Sequence, residues 1–530
     1  MSVRRLLGGT AATSLAAAVL AVSAPAQADP TFVPDADDIV GAGSDTTMHA
    51  LSYLADGHGG VAGYNASAPA RRLVSFDART FAADGTTQTN STTVVLRSGS
   101  APITRPNGSG GGKSLLYGAA NNPDLSFARS SSSLNAAEQA AGLVAFPFAK
   151  DTLGVATAKT SNAPATLTGQ QIVDIYEGRI TNWSEIPGGK TGPINALAPH
   201  TSSGTGDFFK KELEKIKGAA VTYVGVDFVQ EHDDALVKND PNAVAPFSVG
   251  RANLLGSLRM EGGWNVARAL YNVVRPGDAG SDWVSTVFGP NGFVCSPAAA
   301  PLILDAGFEQ LLSQSQGGKC GVSTLTSTPE SDLLTAKVST TTAVAGTSAS
   351  AGALSLTATV GGGGTLKPQG AVSFLVDGAV KGNAVVSGGK ATLSLTGLAA
   401  GAHTVVARFT PTGAAFSPSE SAPATVNVLA ATPAPAAKAR TSLVEKFKAA
   451  YAKGKPVKAK VLVKESAAGA ASGKVTIKRG KKVVGKATVK NGVATVALKG
   501  LTKGKNKLQA VYVGDSKFLG SRLKFTIIVK

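Results

Sequence analysis

The sequence predicts a multidomain chain, an α/β domain followed by two all-β sandwiches, on three observations. Up to about Glu330, strand-like runs alternate with helical patterns. Beyond it, short period-2 strands are separated by Gly-rich turns, and the last two-fifths of the chain contain an internal repeat. Alternating strands and helices argue for an α/β domain. A repeating unit of ~100 residues built from short alternating strands fits a β-sandwich.

Taken in order, residues 1–28 read as a signal peptide. Arg4 and Arg5 form the positive region, Leu15 to Val22 the apolar core, and Ala26-Gln27-Ala28 a small-x-small cleavage site. No later stretch holds about 18 uninterrupted apolar residues, and no cysteine lies near the cleavage site to take a lipid. The expected product is secreted, extracellular and without a lipid anchor or transmembrane helix.

Residues 29–330 form the expected α/β domain. Thr93-Val94-Val95-Leu96 and Leu143-Val144-Ala145-Phe146 are strand-like. Thr168 to Tyr176 gathers Ile172, Ile175 and Tyr176 on one helical face, and Asp207 to Ile216 does the same with Phe208, Phe209, Leu213 and Ile216. The sandwiches are expected at 335–430 and 438–530, joined by a linker over 431–437 that contains Pro433 and Pro435. In the repeat, Gly370-x-Val372-x-Phe374 matches Gly473-x-Val475-x-Ile477. Ala407-x-Phe409 with Phe416 matches Ala510-x-Tyr512 with Phe518.

The formal net charge of +18 is unevenly spread. From Lys438 to Lys530 about two dozen Lys and Arg face three acids, Glu445, Glu465 and Asp515, so the rest of the chain is near neutral. Lys478, Arg479, Lys481 and Lys482 crowd an expected hairpin. Few aromatics are interleaved with these charges, which disfavours nucleic acid and leaves retention on an anionic cell-wall polymer or lipid headgroups as the functional expectation, beside a plain solvated surface. The two cysteines, Cys295 and Cys320, are expected to pair in an oxidising compartment, adding ~3 kcal/mol by loop closure.

Three turns offer anion chemistry. Ile39-Val40-Gly41-Ala42-Gly43-Ser44-Asp45-Thr46-Thr47 is a strand, a glycine turn and hydroxyl residues opening a helix, where N–H groups and the helix dipole favour an oxyanion. Ser202-Ser203-Gly204-Thr205 repeats the arrangement before the Asp207 to Ile216 helix. Phe127-Ala128-Arg129-Ser130-Ser131-Ser132-Ser133-Leu134 adds an arginine to further hydroxyls, in a segment expected to follow a strand. Asn107-Gly108-Ser109-Gly110-Gly111-Gly112-Lys113-Ser114 is one residue from the phosphate loop of NTPases, with Asn107 where the first glycine belongs. No partner strand ending in a magnesium-binding Asp accompanies it, which disfavours a nucleotide loop and leaves a concavity of backbone amides or a plain surface loop.

Gly41-Ala42-Gly43-Ser44, Ser203-Gly204-Thr205 and above all Leu167-Thr168-Gly169-Gln170-Gln171-Ile172-Val173-Asp174-Ile175-Tyr176-Glu177-Gly178-Arg179-Ile180-Thr181-Asn182-Trp183 resemble the phosphate-binding proteins of ABC importers. That resemblance spans about Asp37 to Val274. It implies a periplasmic-binding-protein fold of type 2, two α/β lobes joined by crossing strands, with the ligand between them. The two repeats resemble bacterial Ig-like domains.

The resemblance places ligand contacts at Ser44, Asp45, Thr46 and Thr47, at Ser109 with Gly110, and at Ser203, Gly204 and Thr205. Two charged contacts of the family do not carry over. Its proton-accepting acid falls at Ser131, beside Ser130, and its arginine falls at Pro199, beside His200. Asp45 is the substitute acceptor, and Arg129, His200 or Arg105 the substitute cation.

Catalysis has little support, since the five histidines are scattered with no metal-ligand spacing and no Gly-x-Ser-x-Gly elbow is present. His232-Asp233-Asp234 reads as a helix start. The expectation is a non-enzymatic, cofactor-free and metal-free receptor for phosphate or a similar oxyanion, serving an ABC transporter permease. The alternative is a surface adhesion or scaffold protein with a degenerate binding domain.

Overall fold

The computed structural model describes residues 29–81, 88–89, 92–326, 333–432, 436–448, 450–452, 454–465 and 470–530. The expected signal peptide (1–28), the Thr328–Glu330 boundary and the linker prolines lie outside them. The chain divides into two compact units, Met1–Ala430 and Ala431–Lys530.

Ten strands of the first unit form one sheet: β1 (Ile39–Gly43), β2 (Leu73–Ser75), β3 (Phe127–Ser130), β4 (Val144–Ala158), β5 (Asn195–Pro199), β6 (Val226–Val229), β7 (Ala243–Ser248), β8 (Leu258–Met260), β9 (Val266–Val274) and β10 (Glu309–Gln310). The main path runs β6-β5-β7-β4-β9-β3-β1-β2, with β8 and β10 paired to β4. Both ends of this path are parallel blocks: β1 pairs β2 and β3 in parallel, and β5 pairs β6 and β7 in parallel. Between them β4 and β9 run antiparallel to each other. β4 is fifteen residues long and serves both blocks, pairing β9 through Val144–Leu153 and β7 through Leu153–Thr157. The result is a curled α/β sheet of two lobes joined by crossing strands.

Each lobe closes its own core. Ile39, Leu51, Leu54, Phe127 and Phe148 pack with Leu302 and Ile303 in the first. Leu153, Ile172, Ile175, Tyr176, Trp183, Phe209 and Leu213 pack in the second. The Thr168 to Tyr176 helix forms as expected, over Gly169–Tyr176, because Thr168 and Gln171 make a reciprocal capping box at its start. Trp183 is fully buried and donates from its indole N–H to the Asn242 carbonyl at 3.2 Å. The most family-specific stretch of sequence is therefore a packing motif of the second lobe. Cys295 and Cys320 form a disulfide within the core of the first lobe.

The two C-terminal regions are all-β. The first has a three-stranded and a five-stranded sheet, and so does the second. Their repeat extends to irregularities: a register shift falls after Phe374 in one copy and after Ile477 in the other. Isolated parallel bridges join Val338 to Phe416 and Ala439 to Phe518. The first sandwich is fastened to the α/β domain by Asp305, whose carboxylate accepts the Thr365 and Leu366 N–H groups at 2.7 and 3.0 Å.

Candidate anion-binding site

In an open α/β sheet the loops beyond the carboxyl ends of parallel strands make the ligand crevice. Four such loops meet here, those after β1 and β3 from the first lobe and after β5 and β6 from the second. Ser44, Asp45, Thr46 and Thr47 follow β1 and are buried. Ser203 caps helix Gly204–Lys217, accepting from the Gly206 N–H at 3.1 Å. Thr46 and Thr205 face each other across the lobes, with their hydroxyl oxygens 3.0 Å apart.

Ser109 and Ser131 join them. The Ser109 hydroxyl accepts from the Ser131 N–H at 2.9 Å and lies 3.3 Å from the Ser131 hydroxyl. The Gly110 N–H crosses to the Ser202 carbonyl at 3.2 Å. A β-carbon on Gly204 would lie 2.2 Å from Ser109 Oγ and 2.7 Å from Ser131 Oγ. Only glycine permits this approach, so the Ser-Gly-Thr turn needs its glycine for contact between lobes. Ser44 and Thr47 hydroxyls are buried without a hydrogen-bond partner.

The charged positions differ from expectation. Arg129 lies within β3 rather than after it, because Phe127–Ser130 is itself the strand. Its guanidinium donates to the Ser44 carbonyl (3.2 Å), Ser75 Oγ (2.8 Å) and the Phe76 carbonyl (2.5 Å), bracing the first-lobe turn. His200 is exposed and contributes its carbonyl to the Ser203 N–H. Ser130 bonds locally to the Ser132 carbonyl, and Arg105 pairs with Asp29. Lys113 of the glycine loop is consumed by Glu138 at 2.7 Å.

Asp45 is no free acceptor either. Burial alone would push its carboxyl up, but the Arg79 guanidinium 2.9 Å away, then His232 and Arg251, hold it down at about 2. Its Oδ2 also accepts from Gln230 Nε2 at 2.8 Å.

Three residues passed over in the sequence dominate the site. Arg268, on crossing strand β9, is 1% exposed and stands opposite Asp151 of β4 in the ladder. It ion-pairs with Asp151 at 2.8 Å and donates to Thr205 Oγ1 at 2.9 Å. Glu231, after β6, accepts from the Thr46 N–H (3.2 Å), the Thr46 hydroxyl (3.3 Å) and the Ser203 hydroxyl. Arg79 Nη2 donates to the Glu231 carbonyl at 3.3 Å. The one signal for Arg268 was an arginine inside the apolar run Val266–Val274. Glu231 had none, because it directly precedes His232-Asp233-Asp234, which reads as a helix start. A short helix does begin at Ala235, and the Asp233 carboxylate accepts its N–H at 3.0 Å, while His232 turns the preceding chain at φ 56°.

Asp45, Glu231 and His232 bring ligand atoms within 4.8 Å of one another. Their surroundings suit an anion better than a cation. Arg79 sits on Asp45, and N–H and O–H donors point at Glu231, so a metal would have to displace both.

Two lobes with donors converging between them define a binding domain. Residues 34–240 match the model of a PBP superfamily domain, and residues 334–429 and 445–530 match that of a bacterial Ig-like domain (group 3). The chain is 36% identical over 72 residues to the phosphate-binding protein PstS of Staphylococcus epidermidis, covering 13% of this chain. The chain spans about a fifth (21%) of the length of the curated relatives it matches. Similar solved structures include an ABC-type phosphate transport receptor from Vibrio cholerae, at 20% identity and TM-score 0.36, covering 51% of this chain and 99% of that one. PstS from Borrelia burgdorferi is similar at 17% identity and TM-score 0.32, covering 52% and 98%. The chain thus carries a PBP-superfamily domain over residues 34–240, followed by bacterial Ig-like repeats. Among the described residues no helix is long and apolar enough to cross a membrane.

Proposed function

We propose that residues 29–330 form an exported receptor for an oxyanion, with phosphate as ligand, that delivers it to an ABC transporter permease. Residues 335–430 and 438–530 then act as Ig-like spacers, the second holding the protein to an anionic cell-wall polymer. The observation that carries this reading is the arrangement around Glu231. Donors from both lobes (the Thr46 amide and hydroxyl and the Ser203 hydroxyl) already surround one oxyanion, the carboxylate of Glu231, with Thr205 and Arg268 alongside. In this reading Arg268 takes the part of the arginine missing at Pro199.

Ser131 supplies no carboxylate to reject a fully ionised anion, so selectivity is expected to be low. Calorimetric titration of the chain lacking residues 1–28 tests this. Phosphate and sulfate should bind within a few-fold of each other, and a strong preference for phosphate would place a proton acceptor in the seat after all. The adhesion or scaffold alternative draws on the same Glu231, which fills the seat. It is separated by whether any oxyanion binds once that carboxylate is removed.

A further inference from the structure

We infer that Glu231 is a built-in competitor for the anion seat, a carboxylate that latches the two lobes together and must be displaced before a free oxyanion enters. The inference rests on the oxyanion reading above. Glu231 is 3% exposed and belongs to the second lobe, yet two of its three donors come from Thr46 of the first.

The residues on either side strengthen the latch. Gln230 donates to Asp45 Oδ2 at 2.8 Å and accepts from Asn107 Nδ2 at 2.9 Å, both first-lobe groups. His232 places Nδ1 3.6 Å from Asp45 Oδ1, and its Nε2 accepts from the Ser248 N–H at 3.4 Å. Among these three residues the backbone adopts φ 56° at His232, a left-handed conformation uncommon for a residue with a β-carbon. A segment held this way is a component of the cleft and not a loose loop.

The chemistry of competition follows. A carboxylate and a phosphate each present a pair of anionic oxygens on one central atom that N–H and O–H donors can bind. Because Glu231 is tethered, it competes at a high effective concentration. A free anion therefore binds only the fraction of molecules in which Glu231 has left, and its apparent Kd rises by the inverse of that fraction. Removing the carboxylate, while keeping the donors, should recover the intrinsic affinity.

The test is inorganic phosphate binding to the parent chain and to Glu231→Ala and Glu231→Gln, together with hydrogen exchange at the Thr46 amide. The alanine variant should bind phosphate at least tenfold more tightly than the parent. Its Thr46 amide should exchange faster without phosphate and regain protection with it. The glutamine variant keeps the shape and loses the charge, so it should fall between the two, and it decides the matter if the alanine variant fails to fold. Equal affinity of parent and variants overturns the competitor and leaves the oxyanion receptor standing. Absence of phosphate and sulfate binding in all three at millimolar anion overturns the receptor reading and the competitor with it.

Discussion

The α/β domain and the C-terminal sandwich both use positive charge, in opposite ways. The first buries it: Arg79, Arg129, Arg251 and Arg268 are all at most 9% exposed, and Asp45, Asp77, Asp151 and Glu231 are buried among the same elements. The second keeps it outside. Lys478 and Arg479 are half-buried, while Lys481, Lys482, Lys499, Lys503, Lys505 and Lys507 are exposed, and the buried polar residue described there is Asn506. Buried charge is held by fixed partners in low dielectric and defines one geometry. Surface charge makes a field without geometry, and salt screens it. On the function proposed above, the first arrangement suits a small ligand and the second a large and irregular one.

The sharpest way to break the buried half is Arg268→Ala. It removes the cation from Thr205 and leaves the buried Asp151 carboxylate with Ser248 alone. Breaking a buried ion pair costs about 3–5 kcal/mol, to be read as a lowered unfolding free energy in denaturant. A charge-assisted hydrogen bond is worth about 1.5–3 kcal/mol, so phosphate affinity should fall about tenfold or more. Unchanged stability and affinity would remove Arg268 from the site.

Asp77 gives the buried half a pH signature. Its carboxyl is raised to about 8, chiefly by burial, against which Arg129 pulls down; Asp29 and Asp45 add to the rise and Arg105 opposes it. A folded-state pKa above the unfolded value of about 3.9 contributes stability below that value and loses it as pH rises. From this group stability should fall by about 1.4 kcal/mol per pH unit between about pH 4 and pH 8. Asp77→Asn should flatten that slope in denaturant titrations at several pH values. An identical slope in the variant would show that Asp77 is ionised throughout.

For the exposed half the expected effect is large at low salt and small at high salt. Deleting residues 438–530 should abolish sedimentation with cell-wall fragments. About 1 M salt, where the Debye length is ~3 Å, should release the full chain. Sedimentation unaltered by both treatments would contradict retention by charge.

Local chemistry explains how much of this was readable from residues alone. The strand–glycine–hydroxyl turn at Gly41 to Thr47, the Ser203-Gly204-Thr205 cap and the Ser109 loop depend on near neighbours, and the structure brings all three together. The alternating repeat was legible for the same reason, down to the Phe416 and Phe518 correspondence. Arg268 and Glu231 were not. Arg268 acquires its role from Asp151, 117 residues earlier, through a strand register that no local pattern encodes. Glu231 acquires its role from Thr46, 185 residues away. Conversely, Arg129 and His200 had the right charge beside the right hydroxyls, but β3 turns the first into a brace and the second remains at the surface.

On the proposed function, Thr46, Ser203, Thr205 and Arg268 form one oxyanion seat that Glu231 fills in the absence of ligand. The most direct measurement is a crystal structure of the Glu231→Ala variant grown with millimolar phosphate. A tetrahedral anion should then appear bonded to the Thr46 amide and the Ser203 hydroxyl, in the place vacated by the carboxylate. Water alone at that position, with Thr46 and Ser203 turned to other protein groups, would contradict it.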